Sequence, residues 1–116
     1  MSSQRSSQGW LLNKISYGLQ IKGYFARALA ACPEMPETHL GIGTFYLLAP
    51  SIVGGNLMQA KKELSTAYMM APDFATVNAR LAQLYKKQGD LQKYNYYLER
   101  TKELDSENEV LKEVNN

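Results

Sequence analysis

Residues 42–72 read IGTFYLLAPSIVGGNLMQAKKELSTAYMMAP. Apolar residues at helical spacing run up to Pro50, which cannot continue a helix. After Gly54-Gly55 a second helical pattern starts at Leu57, with Asn56 placed to cap it and Gln59 three residues on, the spacing of a capping box. Pro72 closes the stretch. Gly43, Ala60 and Ala67 stand where two antiparallel helices would touch, so the stretch predicts a helical hairpin of close approach.

The downstream sequence repeats this hairpin. Gly55, Leu64 and Pro72 recur at one constant offset as Gly89, Leu98 and Ser106, whereas Gly43 recurs as Ala82, five positions beyond that offset. Five residues are therefore inserted between the helices of the first hairpin, in the Pro50–Gly55 loop. The second hairpin is expected as a helix from about Ala75 to Gln88, a turn at Gly89-Asp90 with Asp90 as cap, and a helix from Leu91 to Leu104. Ser106-x-x-Glu109 reads as a capping box before a short last helix bearing Val110, Leu111 and Val114 on one face. Upstream, a helix from about Glu37 to Ala49 is expected, with Pro36 at its first position. Trp10 to Ala31 carries helical spacing interrupted by Gly18 and Gly23, as one bent helix or two. Residues 1–8, Ser- and Gln-rich, read as a disordered tail ahead of one helical domain over 9–116. No stretch alternates with the period of a half-buried strand, so the chain reads as all-α.

Set out as motifs, the middle unit is His39-x2-Ile42-Gly43-x2-Tyr46, then Ala60-x3-Leu64, Ala67 and Pro72. The next is Asn78-x2-Leu81-Ala82-x2-Tyr85, then Gly89, Tyr94-x3-Leu98, Thr101 and Ser106. Ile21-x3-Phe25, Ala28 and Pro33 match the second helix of an earlier unit. Over roughly residues 21–106 this resembles the tetratricopeptide repeat family, whose period of about 34 residues is the offset between the second helices. The resemblance implies a right-handed superhelix of antiparallel hairpins. About two and a half repeats and a C-terminal capping helix are expected. Tyr94, Thr101 and Ser106 replace the family's Ala, Ala and Pro. A narrower likeness, on Tyr46, Pro50, Gly54, Gly55, Asn56, Ala60, Leu64 and Ala67, is to the T component family associated with TRAP transporters. It implies a periplasmic accessory role beside a solute-binding protein.

Composition narrows the function classes. A hydrophobic content of 45% with 21% charged residues is that of a globular domain. Residues 1–58 hold four Lys/Arg against two Asp/Glu, and 59–116 nine against nine, so neither half has the concentrated charge that nucleic acid demands. No apolar run reaches the roughly 20 residues that span a bilayer, so no direct membrane insertion is expected. The opening residues lack a secretory apolar core. The chain as it stands reads as cytoplasmic, and as periplasmic had an export signal preceded it. Cys32, the one cysteine, has no disulfide partner and reads as a small apolar filler at a helix end.

No catalytic constellation stands out, and no enzyme activity, cofactor or metal site is expected. His39, the one histidine, has no cluster of acidic or Cys residues around it at ligand spacing. Met69 and Met70 read as packing at a helix end. Tyr94, Tyr97 and Leu98 read as a wall receiving the last helix.

A binding role remains. In stacked hairpins the first helices line a concave groove. By register, Leu40, Thr44 and Leu48 would form an apolar floor, with Arg80, Gln83 and Lys87 anchoring acidic groups. The family's carboxylate-clamp pattern is not reproduced, because the asparagines it uses are Thr44 and Gln83 here. The reading is a non-catalytic protein or peptide binder, with a self-associating structural fragment as an alternative. Lys86 and Lys87 read equally as a solvated helix end. Ile52 and Val53 in the inserted loop would contact a partner or tuck inward.

Overall fold

The computed structural model describes residue 20 and residues 23–114. The expected 1–8 tail and most of the Trp10–Ala31 segment lie outside the described residues, as does the Val114 side chain. The described chain is all-helical. Helical backbone over 23–31 (α1) is followed by α2 (Pro36–Leu48), a 3-10 turn (Ser51–Val53), α3 (Leu57–Met70), α4 (Ala75–Gln88), α5 (Leu91–Leu104) and α6 (Glu109–Val114).

Each boundary has a local cause. Pro36 occupies the first turn of α2, where its missing N–H costs nothing. Asn56 caps α3, its side chain accepting from the Met58 and Gln59 amides at 2.9 and 3.2 Å. Asp90 caps α5 through the Lys93 amide at 3.2 Å. Two expectations about caps are corrected. The Asn56 N–H donates across the hairpin to the Tyr46 carbonyl at 2.9 Å, so that bond replaces one returned from Gln59. Asn108, rather than Ser106, caps α6, its Oδ1 accepting from the Val110 amide at 2.9 Å.

Helices α2 and α3 pack as one antiparallel hairpin and α4 and α5 as another, to a similar extent. The turns after α1, α3 and α5 share a hydrogen-bonded form. Cys32, Ala71 and Asp105 each donate to the carbonyl four residues back, on Ala28, Ala67 and Thr101. Met35, Phe74 and Asn108 then donate back to Cys32, Ala71 and Asp105. The same turn thus recurs three times, and each time a helix begins four residues past it: α2 at Pro36, α4 at Ala75 and α6 at Glu109.

The central helix is α4. Val77, Leu81, Leu84 and Tyr85 face a core with Leu47, Ala60, Leu64 and Ala67. On another side of α4, Ala79 and Ala82 pack with Leu98, Val110 and Leu111. Small residues on that side let α6 lie close. α6 follows the third turn as α4 follows the second, and it packs mainly on α4.

Candidate functional site

The face of α4 between its two apolar sides carries Arg80, Gln83 and Lys87. Each of these side chains is engaged by a group distant in sequence or by the other. Lys87 Nζ donates to the Leu47 carbonyl at 3.0 Å, satisfying an acceptor at the C-terminal end of α2. Arg80 Nη1 donates to Gln83 Oε1 at 2.9 Å and to Glu113 Oε1, in the last turn of α6, at 3.3 Å. The Arg80 side chain is only 13% exposed, while that of Glu113 is 49% exposed. Arg80 Nε is buried and has no hydrogen-bond partner among the described residues. A buried guanidinium with one donor unused and one long contact is under-satisfied.

Gln83 and Glu113, the two partners of this guanidinium, line an open cavity of about 330 Å³ together with Lys86 and Lys87. Lys86 also reaches over the Tyr94 ring, its Nζ 5.5 Å from the centroid. A second cavity, about 270 Å³, joins Lys87 to Leu47, Ala49 and the inserted loop at Ser51 and Gly55. The basic residues expected from the register are thus brought together along α4. Of the three apolar positions, Leu40 packs partly buried against the main core and Thr44 is half-buried. Leu48 is 46% exposed and directly follows the residue whose carbonyl Lys87 holds. In the inserted loop, Ile52 is exposed and Val53 half-buried.

Polar tethers hold the first helices in place. His39 is buried, its Nδ1 2.7 Å from Glu63 Oε1 and its Nε2 2.8 Å from the Pro33 carbonyl. Asn78, at the same place in the next hairpin, donates to the Pro72 carbonyl at 3.0 Å. Both side chains therefore tie a first helix to the proline carbonyl six residues upstream.

Tyr97 stacks on Tyr85 with ring centroids 5.6 Å apart, and Tyr68 and Tyr96 meet Tyr97 edge-on. Burial pushes the Tyr97 phenol above its ordinary value, with Tyr85 adding to the effect. The Tyr68 phenol is also raised, by burial first and then by its hydrogen bond with Tyr96. Tyr94 and Tyr97 flank Leu98, Val110 and Leu111 as expected of a wall under the last helix.

Two expectations of packing are corrected. Cys32 is exposed, as is the whole 31–35 turn that joins α1 to α2, so no apolar neighbours enclose it as a filler. Met69 is 83% and Met70 41% exposed, since α3 turns their positions away from α2 and α4 in its last turn.

Glu113 was not legible as a groove residue, because α6 is short and only its packing on α4 brings this carboxylate to Arg80. Among the described residues no group of three or more His, Cys, Asp and Glu is placed to hold a metal ion. No helix of the described residues is long and apolar enough to cross a membrane. The chain matches no family model, no curated protein and no solved structure.

Proposed function

We propose that the chain is a tetratricopeptide-type repeat domain that binds a protein or peptide partner, taking a carboxylate or acidic side chain against the α4 face. The recurrence of one hydrogen-bonded turn at Cys32, Ala71 and Asp105, each ahead of a new helix, supports the repeat reading. The observation that carries the binding reading is the Arg80 guanidinium, mostly buried with an unused Nε donor, whose partners Gln83 and Glu113 line a cavity edged by Lys86 and Lys87. A carboxylate entering there would meet a planar fork able to bind it with two parallel hydrogen bonds, and two ammonium groups that add attraction. Leu48, exposed at the end of α2, offers apolar contact to the same ligand's neighbouring residues.

The test is fluorescence polarisation with a labelled decapeptide whose first half is apolar and whose carboxy terminus is Asp-Glu-Glu. Arg80→Gln with Lys87→Gln is expected to weaken binding at least tenfold, as expected for a lost charge-assisted pair, while circular dichroism keeps its helical signal. Unchanged affinity in that double variant overturns the site.

A further inference from the structure

The carboxylate that meets the Arg80 guanidinium from outside α4 belongs to the chain itself. Glu113 places a carboxylate oxygen 3.3 Å from Arg80 Nη1 and lines the cavity proposed to receive a ligand carboxylate. We infer that Glu113 is a built-in competitor for the Arg80 site, and that an acidic peptide binds by displacing it. This rests on the carboxylate-binding reading of the α4 face.

The geometry of α6 suits such an exchange. Its first turn is anchored, because Val110 and Leu111 are buried against α4 and α5. Asn108 adds a second anchor, its Nδ2 donating to Thr76 Oγ1 at 3.2 Å at the start of α4. The last turn carries Glu113, which is half exposed and makes one long contact with a single guanidinium nitrogen. A half-exposed monodentate pair of this kind is weak, because water screens it and a long side chain must be held still. A ligand carboxylate that takes both terminal nitrogens of the guanidinium makes a bidentate pair, stronger than the single contact of Glu113. The internal contact is thus weak enough to be displaced and close enough to compete. α6 itself stays docked, since its apolar anchors lie away from the guanidinium.

Competition is reciprocal in free energy, so a ligand that displaces Glu113 must also loosen the turn that carries it. The experiment measures the affinity of the same apolar-then-acidic decapeptide for the full chain, Glu113→Gln and Glu109→Gln. Glu109 is an exposed acid at the other end of α6, and its replacement makes the same charge change away from Arg80. Glu113→Gln is expected to bind roughly two- to fivefold tighter than wild type, the range of a half-exposed ion pair, and Glu109→Gln to match wild type. Amide exchange at Lys112 and Glu113 should quicken on adding peptide to the wild type, while Val110 and Leu111 stay protected.

If wild type and Glu113→Gln bind equally, the competitor role is overturned and the groove reading stands. Equal tightening in the two variants is a general charge effect and also overturns it. Absence of binding in both wild type and Glu113→Gln overturns the groove reading for acidic peptides, and this inference with it.

Discussion

The two hairpins, α2–α3 and α4–α5, close with one hydrogen bond made in two ways. In the first, the Asn56 amide donates to Tyr46, ten residues back; in the second, the Asp90 amide donates to Tyr85, five residues back, both at 2.9 Å. Five extra residues change the path between the helices without changing how they are joined. The second hairpin turns through Gly89, whose φ of +81° is left-handed and whose added Cβ would meet nothing within 4 Å. In the first, a 3-10 turn takes up the added length, Gly54 has φ of +112°, and Gly55 is pressed against the loop's own backbone. A Cβ on Gly55 would collide with the Ala49 carbonyl oxygen. The corresponding glycines 55 and 89 thus answer different needs: one supplies space, the other a left-handed φ.

That difference is broken most sharply by substituting both. Gly55→Ala must rebuild the loop because its clash is with backbone, and is expected to cost roughly 3 kcal/mol. Gly89→Ala keeps its space and bears only the left-handed penalty of about 1 kcal/mol. Thermal melts read the contrast, since about 1 kcal/mol moves a domain of this size by roughly 4 °C. Equal shifts would show that the inserted loop is not as tightly folded on itself as its contacts indicate.

A smaller effect is expected at the helix contact. Gly43 in α2 and Ala82 in α4 are equivalent positions, yet a Cβ on Gly43 would lie 2.7 Å from Leu64 Cγ, in a fully buried side chain. The first hairpin is therefore the more closely packed at this point. Gly43→Ala is expected to destabilise by about 2 kcal/mol, the overpacking cost outweighing the gain in helix propensity. Chemical denaturation would measure it, and a stabilised variant would mean that α2 can slide on α3.

The smallest effect concerns the tyrosines that link the hairpins. Tyr97 of α5 touches Tyr68 of α3 and Tyr85 of α4, and its phenol is raised above the ordinary 10.0 by burial. The folded state keeps that proton longer than the unfolded chain does. The associated stability is complete below about pH 10 and is lost as pH rises through the folded-state value. Tyr97→Phe should move the midpoint of alkaline unfolding to higher pH while leaving stability at pH 7 little changed. Coincident alkaline midpoints, followed by circular dichroism, would remove Tyr97 from that transition.

Much of the helical framework could be read along the chain. The bounds of α3, α4 and α5 agree with the sequence reading, because Asn56, Asp90 and Pro72 act on backbone groups a few residues away. His39 is buried, and its partners Glu63 and the Pro33 carbonyl are not legible from the sequence. The site was read in part. Arg80, Gln83 and Lys87 share a face by helical register, a local property. That Lys87 holds the Leu47 carbonyl and Arg80 meets Glu113 depends on groups 40 and 33 residues away.

The amino-acid order by itself determined the bounds of α3, α4 and α5, the constant offset between the second helices of the hairpins and the site of the insertion, since propensity, capping and apolar periodicity act over one or two turns. Only the tertiary structure decided which carbonyl and which carboxylate the α4 cations meet, and that Asn108 rather than Ser106 starts α6. Those outcomes follow from how whole helices stack. Rigid elements placed by burial of Leu64, Leu81, Leu98 and Leu111 bring together groups that no local pattern relates.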